Sequence, residues 1–265
     1  MKKKIKSLLA SVIIVNYNNK NYIKECINSI KKQNYELIEI IFVDDQSTDD
    51  SLSVVKPSKL IKIIKTRKKK TNYGSYDQIN SYFEGFTKSK GELIFFLDSD
   101  DFFEKDKIKN VVQKFEDNPH TNVIFDLPIF VNKTKKEKNK FKQRTTIFFS
   151  WPKYTSQSCI SLRREYAKEL FKNLNFRKFS NIWFDFRIAA YSFIKFNKIE
   201  IYYKHLTFYR IKKISASAKF KTFSTEWWKR RHQAHRFFDF LCEKKNKKKR
   251  YTFDKLVTNL INIFI

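Results

Sequence analysis

Gly91-Glu92-Leu93-Ile94-Phe95-Phe96-Leu97-Asp98-Ser99-Asp100-Asp101 is the stretch on which the reading of this chain turns. Glu92 to Leu97 is a nearly continuous apolar run and reads as a strand buried on both faces. It ends in three carboxylates within four residues, which repel one another unless a cation sits among them. In an open α/β sheet, ligands bind at the carboxyl ends of the strands. At such a rim Asp98 and Asp100 can turn toward one Mg²⁺ or Mn²⁺. These hard cations take oxygen ligands and complete their shell with water and substrate phosphates, so a nucleotide diphosphate is the natural third party. The competing reading is that the acidic residues cap a helix near Glu104.

Working outward, Ser11–Val15, Ile38–Val43, Leu60–Ile64 and Asn122–Phe125 are similar apolar runs. Between them Ile23, Cys26, Ile27 and Ile30 share one helical stripe, as do Ile108, Val111, Val112 and Phe115. Tyr76, Ile79, Phe83 and Phe86 approximate the same spacing. Strands alternating with helices of this length predict an α/β fold with a largely parallel, doubly wound sheet. Polar clusters follow the strands: Asn16-Tyr17-Asn18 after the first, Asp44-Asp45 after the second, Asn72 and Gly74 after the third. Asp44-Asp45-Gln46-Ser47-Thr48-Asp49 reads either as a turn and helix cap or as a ligand site. In the latter a carboxylate accepts from an N–H of a base and Tyr17 stacks on it.

The chain has 265 residues, 42% hydrophobic with 28 Phe, which is enough apolar material for a real core and excludes global disorder. Cys26, Cys159 and Cys242 are scattered and form no CxxC pair, which argues against a disulfide framework or structural zinc and fits a reducing compartment. No run approaches the ~18 apolar residues of a membrane span, and the basic start lacks the form of a signal peptide. A cytoplasmic protein is expected, with peripheral contact to the cytosolic face of a membrane. The net charge of +29 concentrates in Arg67–Lys70, Lys133–Arg144 and Lys244–Arg250. These runs read first as solvated faces and next as contacts with an anionic membrane. No motif of dedicated nucleic-acid binding accompanies them.

Beyond residue 130 the pattern loosens. Lys133–Arg144 reads as an exposed loop, Phe148–Trp151 as a strand, Arg163–Leu174 and Asn181–Phe196 as helices, and Glu200–Tyr209 as extended. Trp227–Glu243 reads as an amphipathic helix with a basic face. The expected organisation is a domain over 1–220, with a nucleotide-sugar half at 8–130 and an acceptor-side half at 131–220. A basic, aromatic helical extension follows over 221–265. Trp151, Tyr154 and Trp183 are candidates for stacking on sugars, though core packing is the commoner use of aromatics. His232 and His235, three apart on the basic helix, read as surface residues with no metal role.

Taken together, Ser11–Asn18, Phe42–Asp49 and Gly91–Asp101 resemble, in order and spacing, the family 2 glycosyltransferases of the GT-A fold. Tyr209-Arg210 followed by Ser215 and Ser217 echoes a weaker pattern of that family. The resemblance implies a Rossmann-like, mostly parallel sheet flanked by helices. It also implies a metal-dependent, inverting transfer of a sugar from a nucleotide-sugar donor, a UDP-sugar first, to an acceptor hydroxyl. The acceptor would be a surface polysaccharide, a glycolipid or another lipid-linked glycan. Residue by residue, Tyr17 and Asp45 would hold the base and Asn72 would join them in holding the donor. Asp98 would contact the ribose or the metal, and Asp100 would ligate Mn²⁺ or Mg²⁺, with Asp101 as its alternate. Asp185, set among aromatics in Ile182–Arg187, would be the general base, its pKa raised by desolvation; a salt bridge to Arg187 or another cation is the competing reading. One departure stands out: the family's Ala-Arg-Asn segment is Gln78-Ile79-Asn80 here, so a positive contact is missing, and Arg210 is a candidate to serve the diphosphate instead. Two alternatives stay open. A sugar-phosphate nucleotidyltransferase would carry a Gly-rich loop after the first strand, which Asn16–Lys20 lacks. A non-catalytic basic module on the same fold would not need the intact acidic cluster.

Overall fold

The computed structural model describes residues 8–67, 70–174, 177–212 and 220–265. The Ser215 and Ser217 pattern lies outside the described residues. In chain order the elements are β1 (Ala10–Asn16), α1 (Lys20–Lys31), β2 (Ile38–Asp44), β3 (Ile61–Lys65), α2 (Gly74–Lys88), β4 (Leu93–Asp98), β5 (Phe102–Phe103) and α3 (Lys107–Asp117). There follow β6 (Val123–Asn132), β7 (Lys135–Lys138), β8 (Ile160–Arg163), α4 (Arg164–Asn173), α5 (Phe184–Phe196), β9 (Ile201–Arg210), α6 (Thr225–Lys244) and α7 (Phe253–Ile261).

The strands form one sheet in the order β3-β2-β1-β4-β8-β6-β9-β5, with β7 on β6. β3, β2, β1 and β4 are parallel. The largely parallel expectation stops there: β8 runs antiparallel to both β4 and β6, and β5 antiparallel to β9, so the whole sheet is mixed. β8 follows a long excursion rather than a crossover helix, which leaves its direction free.

Strand parity sorts the core into two layers. Ile13, Val15, Val43, Ile94 and Phe96 face α2, α4, α5 and α6, whereas Val12, Ile14, Phe42, Phe95 and Leu97 face α1 and α3. Phe237, Phe238 and Leu241 of α6 belong to the first of these cores, so the 221–265 segment shares its packing with the domain before it. Cys26, Cys159 and Cys242 are free and buried.

Several local expectations are corrected. Phe148–Trp151 is turn, not strand, because Ser150 and Trp151 are buried against α6 and α7 rather than paired in a ladder. Lys133–Arg144 contains β7, a fully exposed edge strand whose charged residues carry no apolar signal. His235 is buried, donating to or accepting from Ser150 Oγ at 3.1 Å, and burial beside Arg231 drives its pKa down to about 2; only His232 is at the surface.

Gly91 explains the opening of the decisive stretch. A Cβ there would lie 2.6 Å from both the Leu9 carbonyl and the Ser11 amide, backbone atoms that cannot yield. Gly91→Ala is expected to cost about 1–3 kcal/mol by overpacking, read as a lower urea midpoint. Gly74→Ala, where a Cβ would meet nothing within 4 Å, is the control and should leave the midpoint in place.

Candidate active site

The carboxyl ends of β1, β2 and β4 form one rim. Its first part is stitched together by short polar side chains. The Asp44 carboxylate accepts from Asn16 Nδ2 at 3.0 Å and from Ser47 Oγ at 2.6 Å, tying β1 to the turn after β2. Asn18 Oδ1 accepts from the Thr48 amide at 2.7 Å, with Asn18 and Gln46 both in the left-handed region that Asn tolerates. Asp49 caps a short 3-10 turn at Asp50–Val54 by accepting from the Ser51 amide. Asp44 and Asp49 are therefore structural, and Asp45 is left to face a cavity.

That cavity has a volume of about 610 Å³, within the usual range for small-molecule sites. Asp45, Thr66, Lys70, Tyr73, Asn80 and Arg177 are among its lining residues. Thr66 donates to Asp45 Oδ1 at 3.1 Å, and the Lys70 ammonium stands 3.7 Å from Oδ2 and over the half-exposed ring of Tyr17. Asn72 is exposed on the loop; its neighbours Thr71 and Tyr73 line the cavity and Asn72 does not. Ile79 is fully buried in the core, a position that has no room for an Arg facing the rim.

The acidic turn after β4 divides its labour. Asp101 points inward: Ser158 Oγ donates to Oδ2 at 2.6 Å and the Arg210 amide to Oδ1 at 2.8 Å. Burial, with Asp100 and Asp98 nearby, raises its pKa well above the carboxylate range. Asp98 is held by Tyr82 Oη, Gln78 Nε2 and Gln157 Nε2 at 2.8, 2.9 and 3.1 Å, all on Oδ1, while Oδ2 accepts from none of them. Burial and then the charge of Asp100 push its pKa up to about 7. Asp100 pairs with Lys212, which also donates to Asn19. Arg210 stacks over Tyr22 and Phe102, donates to the Asp100 carbonyl at 2.9 Å and pairs with Glu25. The acidic cluster caps nothing: Asp106, not Asp98–Asp101, precedes α3.

Behind this turn lies a buried ion pair, Lys107 with Asp126 at 2.8 Å, both without solvent exposure. Lys107 also donates to the Ser158 carbonyl and Thr207 Oγ1, so α3, β6 and β9 are joined to the residue that holds Asp101.

Asp185 arrives from the other side, in the first turn of α5. Burial lifts its pKa to about 6, and Arg230 of α6 pulls it back. Its charge in turn contributes to the raised pKa of Asp98, whose donor Tyr82 packs on Phe184, the residue before Asp185, at 5.7 Å between ring centroids. Arg187 is not its partner. That guanidinium is buried and donates to the carbonyls of Leu174, Phe179 and Ile182, with burial lowering its pKa to about 9. Of the stacking candidates, Trp151 is core; Trp183 carries Arg230 over its ring at 4.7 Å.

Tyr82, Gln157, Ser158, Lys107 and Arg230 were not among the residues expected from sequence. Their types are common and only the tertiary structure gathers them; a Tyr within the apolar face of α2 was the one available hint.

Among the described residues no group of three or more His, Cys, Asp or Glu side chains forms a closed cage for a metal. The donor set nevertheless fits a hard divalent cation completed by phosphate. Asp98 and Asp100 offer two carboxylates at one turn, and the charge of Asp100 contributes to the raised pKa of Asp98.

A family model described as glycosyl transferase family 2 matches residues 11–193. The chain belongs to that family. Among its relatives, an uncharacterized glycosyltransferase of Nostoc sp. is 35% identical over 125 residues, covering 45% of this chain and 36% of that protein. The poly(ribitol-phosphate) beta-N-acetylglucosaminyltransferase TarS of Staphylococcus aureus is 33% identical over 116 residues, covering 43% of this chain and 20% of TarS. The chain thus spans well under half the length of these curated relatives. In three dimensions it is similar to TarS 1–349 in complex with UDP, with TM-score 0.60 and 19% identity over 86% of this chain and 65% of that one. It is also similar to the mannosyltransferase PcManGT of Pyrobaculum calidifontis in complex with GDP-Man and Mn²⁺, with TM-score 0.61 and 13% identity over 96% and 69%. Both likenesses support the α/β fold of GT-A glycosyltransferases.

Removing the Ser158 hydroxyl takes a donor from Asp101 and an acceptor from the Asp98 amide, which donates to it at 3.1 Å. Ser158→Ala is expected to cost about 1–3 kcal/mol, because a buried carboxylate is left short of a partner. Chemical denaturation of the purified variant measures it.

Proposed function

We propose that this glycosyltransferase moves a sugar, with inversion, from a nucleotide-sugar donor, a UDP-sugar first, to a hydroxyl of a surface polysaccharide, glycolipid or other lipid-linked glycan. The reading is supported by one piece of geometry: Tyr82, which donates to Asp98, packs at 5.7 Å between ring centroids on Phe184, the residue before Asp185, so α5 brings Asp185 toward the turn after β4. The nucleotide complexes of TarS with UDP and of PcManGT with GDP-Man support a nucleotide-sugar donor.

In this reading residues 8–130 bind the donor and 131–220 shape the acceptor side. Asp45 accepts an N–H of the base in the cavity, where Tyr17 offers a ring face once Lys70 has moved aside. Asn72 lies on the same loop as cavity-lining Thr71 and Tyr73 and closes over the donor. Asp98 and Asp100 hold Mn²⁺ or Mg²⁺, with Asp101 the alternate carboxylate of the same turn. The bound ion supplies charge neutralisation for the departing diphosphate. Lys212, seated beside Asp100, and Arg210 add positive charge there. Asp185 takes the proton from the acceptor hydroxyl as the oxygen attacks the anomeric carbon opposite the leaving group. Its raised pKa makes it a better base than an ordinary carboxylate, and Arg230 keeps that pKa low enough for the base form to dominate near neutrality. The chain acts in the cytoplasm, peripherally attached to a membrane that presents the acceptor.

UDP release measured over a panel of nucleotide sugars, with Mn²⁺, Mg²⁺ or chelator, tests the reading. Turnover that is lost with chelator and restored by either ion is expected; no nucleotide release from any donor would reject it. Asp185→Asn should lower turnover by roughly 10²–10⁴-fold while donor binding by calorimetry persists. Asp100→Ala should weaken donor binding itself. Because the base form of Asp185 is the carboxylate, kcat/KM measured at saturating Mn²⁺, which keeps Asp98 ionised, should be level well above pH of about 6 and fall as pH drops through that value. A profile flat down to pH of about 4.5 would remove Asp185 from the role.

A further inference from the structure

α7 is docked the wrong way round for a water-facing helix. Amphipathic surface helices bury their apolar stripe and expose their polar one. Here the polar side is inside. Asp254 and Thr258 are buried, with Asp254 paired to Arg231 at 2.7 Å and accepting from Thr252. Lys255 reaches Asp239 of α6 at 2.7 Å, and Asn262 donates to the Trp228 carbonyl. The outward side carries Phe253, Leu256, Leu260, Ile263 and Phe264, with exposures from 50% to 84%. Phe253, Leu256 and Leu260, spaced three and four apart, share one face of α7, and Ile263 and Phe264 follow just past its last turn.

The surroundings extend this face and say what it meets. At the start of α7 the Asp254 amide donates to the Phe148 carbonyl, bringing exposed Phe148 and Tyr251 alongside. At its end Trp228 stands edge-on to Trp227, and exposed Phe223 packs on both. Amphipathic aromatic rings of this kind sit well at a lipid–water boundary. The loop that leads into α7 carries Lys247, Lys248 and Lys249, all exposed. An apolar helix face beside a lysine cluster is complementary to anionic lipid, whose acyl boundary takes the first and whose headgroups take the second. No described helix is long and apolar enough to cross a membrane, so the contact is one of lying on the surface.

We propose that the outward face of α7, with its flanking aromatics and Lys247–Lys249, inserts shallowly into an anionic bilayer. This deepens the peripheral attachment stated above and names its surface. The placement also has a consequence for the acceptor, and that part rests on the proposed transfer reaction. The Trp228 carbonyl that receives Asn262 is two residues from Arg230, the cation that faces Asp185. α6 thus joins the membrane-seated helix, through Arg231 and Asp254, to the cation that acts on the proposed base, which suits an acceptor that is itself lipid-linked.

The test is co-sedimentation of the full chain with phosphatidylcholine vesicles, with and without phosphatidylglycerol, at low and high salt. UDP release with a soluble acceptor is measured in parallel. The native chain should pellet with the anionic vesicles and retain part of that binding in high salt, where screening removes the purely electrostatic share. Leu256→Glu with Leu260→Glu should lower apparent vesicle affinity on the order of a hundredfold or more. Because both positions face solvent, the variant's urea midpoint and soluble UDP release should stay within about twofold of native. Lys247→Gln, Lys248→Gln and Lys249→Gln together should erase the preference for phosphatidylglycerol. Phe264→Asp, beyond the helix itself, gives a second reading of insertion. Native-like binding by the double Glu variant, or no binding by the native chain, overturns the proposal. So does a dimer in light scattering that the double Glu variant dissolves, since the face would then belong to a second copy. Vesicle binding without any nucleotide release would sink the transferase reading and leave this one standing.

Discussion

Everything at the rim depends on a carboxylate that scarcely sees water. Asp101 is buried at the foot of the acidic turn, and a carboxylate is costly to bury unless its oxygens find donors. Ser158 and the Arg210 amide supply them, and in doing so pin the end of β4 to the approach of β8 and to the last residue of β9. The neighbouring Lys107–Asp126 pair fixes Ser158 from behind through its carbonyl. With Asp101 fastened inward, the odd-even alternation of the turn leaves Asp98 and Asp100 at the site, and the three donors on one oxygen of Asp98 fix its orientation. The precision of the outer carboxylates is inherited from the inner one.

Two opposing electrostatic demands meet at this place. Carboxylates crowded into a dry rim raise one another's pKa, which is the behaviour of Asp98, while the base proposed at Asp185 would need to be ionised. The fold resolves this with cations drawn from late in the chain: Lys212 against Asp100 and Arg230 against Asp185. The C-terminal helices therefore belong to the site's charge balance as well as to the core, through Phe237 and Phe238.

The N-terminal half was legible because its strands are buried on both faces and its helices carry clean stripes; β1 to β4 and α1 to α3 fall where apolar periodicity puts them. β8 was not, because four residues joining antiparallel neighbours give too short a pattern, and β7 was not, because every residue in it is charged. Phe148–Trp151 has the composition of a strand but is buried through side-chain contacts with helices. At the site, acidic residues after apolar runs announce themselves: Asp45, Asp98 and Asp100 follow β2 and β4 at the rim, whereas Asp185 comes from the first turn of α5. Asn72 has no such signature and sits outside the cavity. The hydroxyl and amide side chains that hold the carboxylates are invisible in one dimension, since Tyr82, Gln157 and Ser158 look like any others until the sheet assembles them. α7 deceives for a different reason: its polar residues are the ones the domain wants.

Arg187 closes a route that the composition of this chain would otherwise invite. Lysine is used here far more freely than arginine. Beneath α5 an exchange to lysine is barred. One planar fork there reaches the carbonyls of Leu174, Phe179 and Ile182 in three directions. A lysine ammonium is a single point that cannot span them, and it sheds its proton far more readily when dehydrated. Exchange to lysine would therefore loosen the segment that aims the first turn of α5, a geometric limit within an otherwise lysine-rich chain.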